Sequence, residues 1–371
     1  MVSDRGELPA IQRAALHLYQ LYDDSFALDL ERARGLFDAP TARVRPVVTR
    51  GGSIDIPQLP LEISVGAMPL TLAGMQLQGE MQARIYDLGI IACRLVVALP
   101  DGLTWEQANA VMAHVQRYPA DIAEAFARQH EALRKLLLPA MERPNETVRA
   151  EDYTILLIEG LGPGTPAAEL ARHPTLLRTA LGEDRPLSAA ASALATPLSY
   201  YPDDLILLTW AAAIVIEPDP AAREDATLLL EFANAQLLAF RSYDAQVERE
   251  LARITPRIAR TRRLRWRLLW PVERFQREIY SLIADITDTS QRVENALKVT
   301  EDVYWNRVYV AALAVLRVEV WRAGIDEALG VLRQTASLLH DEAQEAWTTF
   351  LEVLVIVLIA VELVVALLGL H

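Results

Sequence analysis

Residues 351–370 read LEVLVIVLIAVELVVALLGL, and fifteen of these twenty are Leu, Ile or Val. The run opens at Leu351, closes at Leu370 and leaves only His371 behind it. As a helix rising about 1.5 Å per residue it measures roughly 30 Å, the thickness of a bilayer's hydrocarbon core. Two carboxylates interrupt it, Glu352 at the rim and Glu362 near the middle. Large aliphatics contribute roughly −0.3 to −0.6 kcal/mol each to insertion, whereas one mid-span acid costs about +2.5 to +3.5 kcal/mol. The aliphatics outweigh the acid, so the spacing predicts a transmembrane helix. The competing reading is a buried helix or oligomer seam that never meets lipid.

Composition narrows the setting. The chain of 371 residues has room for two domains. A formal charge of −13 argues against a protein built as a whole to coat nucleic acid, and no DNA partner is expected. Cys93 is the only cysteine, which excludes an intramolecular disulfide and a cysteine metal cluster and fits a reducing compartment. The N-terminus, MVSDRGELPA, has neither an apolar signal region nor the acid-poor character of a transit peptide. The expected placement is therefore a tail-anchored membrane protein with its N-terminal bulk in the cytoplasm.

Proline separates two regimes. Only Pro256 and Pro271 lie beyond residue 220, so long helices are expected there and mixed structure before them. Strands are predicted over 16–22, 43–49, 61–65, 82–86, 90–98, 152–158 and 205–216, and helices over 29–37, 105–117, 120–138 and 167–181. Beyond 220, Leu230, Ala233, Leu237, Phe240, Asp244, Val247, Leu251 and Ile254 follow alternating steps of three and four. Asp244 alone breaks that seam and is read as a register-setting polar group. A second helical stretch is predicted over 273–316. A third seam runs from Ile325 through Leu329, Leu332 and Phe350 into Val353 and Val357 without a break in spacing. The fold class expected is α+β: a mixed α/β domain over 1–218, a long-helix bundle or coiled coil over 219–350, and a transmembrane helix over 351–370.

Few residues carry chemistry. Between Pro256 and Glu278 eight arginines face two glutamates, with Arg257, Arg260, Arg262, Arg263, Arg265 and Arg267 interleaved with Trp266 and Trp270. Guanidinium groups fork onto phosphates and tryptophan favours headgroups or stacks on bases, so this segment is read as a contact for anionic lipid or RNA phosphate. Internal pairing with acids such as Glu248 and Glu250 is the equal alternative. Residues 160–164, GLGPG, sit between a predicted strand and a helix but lack GxGxxG spacing and any GK[ST]. Asp203 and Asp204 in YYPDD read as a solvated turn. The six histidines form no paired-ligand spacing. No catalytic, cofactor or metal site is expected, and the chain is read as a non-enzyme.

Two short segments carry a family resemblance. Residues 351–353 (LEV) with 356–362 (IVLIAVE), and residues 85–91 (IYDLGII), are similar to the ending and the N-terminal aromatic-Asp strand of the Rmd1/YagE family, the domain of unknown function 155 group. That resemblance implies a membrane-anchored, homo-oligomeric scaffold that recruits a cytosolic partner such as the ribosome or translation machinery. The alternative is a soluble oligomeric nucleotide- or nucleic-acid-binding regulator with its apolar C-terminal helix buried in the oligomer.

Overall fold

The computed structural model describes residues 8–37, 44–46, 58–162, 166–263, 277, 280–281, 283–284, 287 and 302–367. They fall into two units, one of residues 1–242 with 292–319 and one of residues 243–291 with 320–371.

The first unit is organised around β1 (Ile11–Leu28), eighteen residues long. Its neighbours are β2 (Val44–Pro46), β3 (Leu61–Leu72), β4 (Met75–Ile85), β5 (Ile90–Ala98), β6 (Met141–Leu161), β7 (Thr196–Leu198), β8 (Leu205–Leu208) and β9 (Ala212–Ile216). The nine strands form one sheet in the order β2-β3-β4-β5-β1-β6-β9-β8-β7. Every pairing is antiparallel except β6 with β9. A central strand buries both faces, which is why β1 shows few exposed positions where a half-buried strand would alternate.

Helices α2 (Trp105–Gln116), α3 (Ala120–Leu137) and α4 (Pro174–Leu181) contribute to the main apolar core. Trp105, Val111, Met112, Phe126, Leu133 and Leu176 join Leu16, Leu18, Cys93, Leu95 and Ile158 there. Local signals set the helix ends. Asp29 caps the short α1 (Leu30–Gly35) by accepting from Arg32 N–H, and Thr104 with Gln107 forms a capping box on α2. A different layer covers part of the other face. It consists of the first part of α5 (Pro220–Arg263) and of α6 (Val303–Val315), capped by Asp302.

Two predicted elements differ in detail. The apolar run 205–216 is a hairpin rather than one strand, because Thr209 Oγ1 donates to Ala212 O at 2.7 Å and accepts from Ala212 N, closing a turn between β8 and β9. The helix predicted over 167–181 is broken at Pro174. A 3-10 turn, Ala167–Arg172, precedes it, and His173 Nδ1 accepts from Thr175 N–H to start α4. The described part of the predicted 273–316 helix is essentially α6.

Helix α7 (Val318–Leu367) runs fifty residues and belongs to the second unit from Val320 on. Ile325, Leu329 and Leu332 are buried, the start of the predicted seam. Asp244 lies beside Gly324: a Cβ there would stand 3.5 Å from Asp244 Oδ1.

The transmembrane expectation is corrected. Among the described residues no helix is long and apolar enough to cross a membrane. The end of α7 carries Glu352 and Glu362 among its aliphatic side chains, two carboxylates that oppose insertion, and Leu370 lies outside the described residues. The transmembrane end of the fold class, the tail anchor, the membrane as a partner and the membrane localisation are all withdrawn with it. A mixed α/β sheet unit with long helices toward the C-terminus stands.

Candidate functional site

Three polar constellations occur in the first unit. The first is a row of charged side chains on the sheet face that α5 covers. Register builds it: Glu62 on β3 pairs across from Arg84 on β4, Gln82 on β4 from Arg94 on β5, and Arg94 from Tyr19 on β1. From α5, Glu231 reaches down to accept from Arg84 Nη1 at 2.7 Å and from Tyr86 Oη at 2.8 Å. Arg84 also donates through Nε and Nη2 to Glu62 Oε2 at 3.1 and 3.0 Å. Arg94 Nη2 stands 3.4 Å from the same oxygen and donates to Gln82.

Two guanidiniums and two carboxylates leave this row formally neutral. Burial works against the Arg84 charge, but Glu231, Tyr86, Tyr19 and Glu62 hold its guanidinium above the usual range. Burial and the Glu231 charge push Tyr86 well up, and burial pushes Tyr19 up to about 12. His17, within 3.4 Å of Tyr19 Oη, is driven well below its ordinary value by burial and by Arg94 and Arg84. These directions keep His17, Tyr19 and Tyr86 neutral and Arg84 charged around neutral pH, which suits a buried network that specifies the packing of the sheet against α5.

The second constellation sits where β1 bulges between Asp23 and Ser25. Asp24, fully buried, lies 2.9 Å from His130 Nε2 and 3.0 Å from Arg134 Nε, both on α3. The His130 ring stacks on Tyr22 with centroids 3.7 Å apart. Asp23 accepts from Asn145 Nδ2 at 2.8 Å and from Ser242 Oγ. The turn 86–89 clasps the bulge, because Asp24 N–H and Ser25 N–H both point at Gly89 O, at 3.1 and 3.3 Å. Gly89 has φ +80°, and a Cβ there would lie 1.9 Å from Ser25 O.

The third constellation is partly exposed, with Tyr200 and Tyr201 open and Asp204 buried. Pairing of Leu205 with Ile216 sets Asp204 beside Glu217 at one end of the β8–β9 hairpin. Asp204 accepts from Tyr200 N–H at 2.8 Å and Tyr201 N–H at 2.9 Å, so it closes the turn predicted for YYPDD. The two tyrosine rings meet edge to face at 4.8 Å, and Tyr200 packs on Tyr304 of α6 at 5.3 Å. Burial together with Asp204, Asp219 and Asp203 raises the Glu217 carboxyl to about 7.

The residues predicted to carry function fall elsewhere. Arg257, Arg260, Arg262 and Arg263 belong to the helical backbone of α5, while Arg265, Trp266, Arg267 and Trp270 lie outside the described residues. Gly160 and Gly162 continue the sheet instead of opening a helix: Gly160 pairs with Arg13, and Gly162 N–H donates to Ala10 O at 2.9 Å. Among the described residues no group of three His, Cys, Asp or Glu could hold a metal ion. Two open grooves of about 580 and 380 Å³ run along the β3–β4 hairpin, lined by residues such as Leu70, Gln78, Gly79 and Val96. Neither is lined by the constellations above.

A family model described as "Uncharacterized protein MJ0711, N-terminal domain" matches residues 13–222. The chain belongs to that family. No curated protein and no solved structure matches the chain. The MJ0711 N-terminal domain match runs from β1 to the first turn of α5, so it takes in all nine strands, Asp23, Asp24 and the Tyr200–Tyr201 turn. It stops short of Glu231 and Tyr304. It covers one of the two segments that resemble the Rmd1/YagE family, 85–91, and not the other, 351–362.

Proposed function

We propose that this chain is a non-enzymatic scaffold that assembles with copies of itself through the apolar end of α7 and recruits a protein partner through its sheet unit. One observation carries the reading. Eleven large aliphatic side chains between 351 and 364 are 42–65 % exposed, on all sides of the helix. A helix apolar all round is normally covered, and an exposed patch of this kind marks an interaction surface. Covering these side chains removes on the order of 1,000 Å² per chain from water, against about 800 Å² per partner in a standard interface. The resemblance to the Rmd1/YagE family, which implies homo-oligomers, agrees with it. The burial of the Arg84–Glu231 row under α5 and the structural role of Asp204 support a reading without catalysis.

Light scattering on the full chain, eluting from a sizing column in detergent-free buffer, tests the assembly. A discrete oligomer is expected, and Val357→Glu, on the predicted seam, should shift it to the monomer. A wild-type chain that runs as a monomer at tens of micromolar removes the proposal.

A further inference from the structure

The exposed tyrosine patch has a feature the turn does not need. Tyr200 and Tyr201 are 64 % and 62 % exposed, where an ordinary turn carries small polar residues. Their rings are held, since Asp204 fixes both backbone N–H groups and Tyr304, itself fixed against Trp305 at 5.2 Å, supports Tyr200 from behind. Asp302 accepts from the N–H groups of both Tyr304 and Trp305 and so pins the supporting helix end. The result is an ordered aromatic face.

Its rim is acidic. Asp203 and Asp219 are exposed, Asp219 capping α5 by accepting from Ala222 N–H at 3.0 Å, while Glu217 is half-buried and Asp204 is buried beneath the turn. Among the described residues none of these four acids is in an ion pair. Arg223, the nearest cation along the chain, spends its guanidinium on the carbonyls of Glu217 and Pro218 at 3.0 and 2.8 Å and on the Glu159 carboxylate at 3.6 Å. Arg307 on α6 is close enough to bear on Tyr304.

Electron-rich ring faces beside unpaired carboxylates attract cations, and a planar guanidinium can stack on tyrosine while donating to a carboxylate. Nucleic acid and anionic headgroups are repelled by the same rim. We propose that the Tyr200–Tyr201–Tyr304 face, with the exposed Asp203 at its rim, docks an arginine-bearing basic segment of a protein partner. The inference names the class of partner for the recruiting half of the proposed function and rests on that half. It is independent of self-assembly through α7.

The test is calorimetric titration of the full chain with an octa-arginine peptide, alongside octa-lysine and a neutral glycine-serine peptide of equal length, at low and at physiological salt. Binding of octa-arginine is expected, several-fold tighter than octa-lysine, with none for the neutral peptide. Tyr200→Ala with Tyr201→Ala should weaken it at least ten-fold and abolish the preference for arginine, while Asp203→Asn weakens both cationic peptides alike. Unchanged thermal unfolding of the variants, expected for such exposed rings, shows that the fold is intact. Binding that survives the tyrosine substitutions reflects the net charge of −13 alone and overturns the proposal, as does the absence of binding. Oligomer size, read on the same samples, reports the α7 assembly separately, so either part can fail alone.

Discussion

Single residues decide the ionic core. Glu231 neutralises Arg84 and receives the Tyr86 hydroxyl. Removing one partner of a buried pair leaves the other charge uncompensated, at about 3–5 kcal/mol. Glu231→Ala should accordingly lower the unfolding free energy of the first unit by that much, read as a fall in its urea midpoint. Gly89→Ala is expected to cost roughly 3 kcal/mol or more, because its Cβ would overlap the Ser25 carbonyl in a backbone conformation that side chains disfavour. Purified variant yield and unfolding midpoint measure this. Asp225, buried and with Oδ1 unpartnered among the described residues, has its carboxyl pushed up to about 6 by burial and by Glu224 and Asp219. An acid whose folded value exceeds its unfolded one binds more protons when folded, so its contribution to stability falls as pH rises from about 4 to about 6. Glu217 adds the same trend up to about 7. Asp225→Asn should therefore raise stability by about 1–2 kcal/mol at pH 8 and change little at pH 4, as read from paired thermal melts.

At the scale of elements, legibility followed the strength of the local signal. The strand over 90–98 was readable to the residue, since IIACRLVVA sits between a glycine turn and a proline. The helix starts at Trp105 and Leu30 were readable because Thr104 and Asp29 are strong caps. The β8–β9 hairpin was hidden, because its turn is closed by one threonine without glycine or proline. The charged row was hidden for another reason. Arg84, Gln82 and Arg94 alternate with apolar neighbours just as a solvent-facing strand would, and only a cover helix makes that face interior. The signal lay in α5, where LLLEFANAQLLAF is apolar on every side yet holds Glu231, Asn234 and Gln236, all buried. Polar groups in such a helix require partners. In α7, Glu362 lies within the exposed apolar run. Glu362→Leu is expected to preserve assembly and change the number of chains in it, which light scattering resolves. The apolar end itself was legible, and its two carboxylates, Glu352 and Glu362, weigh against a span.

For the whole molecule, the family match and the folding unit do not coincide. Residues 13–222 contain every strand but lack Glu231, Ser242 and the whole of α6. Tyr309 on α6 donates to Gln236 and stacks near Phe232, which in turn packs on Tyr86. A chain ending at residue 222 would leave Arg84 and Arg94 sharing Glu62 alone and this aromatic layer open to water. It should unfold without a cooperative transition and bind a hydrophobic dye, whereas residues 1–319 should melt cooperatively.

The central pair of the sheet joins Ile11 to Leu161 at one end and Leu28 to Met141 at the other, so its partners are 150 and 113 residues apart in sequence. Contacts this distant are slow to form, because a long loop must close before they stabilise anything. On a ribosome extending the chain at about 5–20 residues per second, β1 would wait roughly 8 to 30 s for β6 to be synthesised. Pairing with β5 can protect one edge of β1 in the meantime, but the other remains an open apolar template for a neighbouring nascent chain. The birth of this protein, more than its finished state, is where aggregation threatens it.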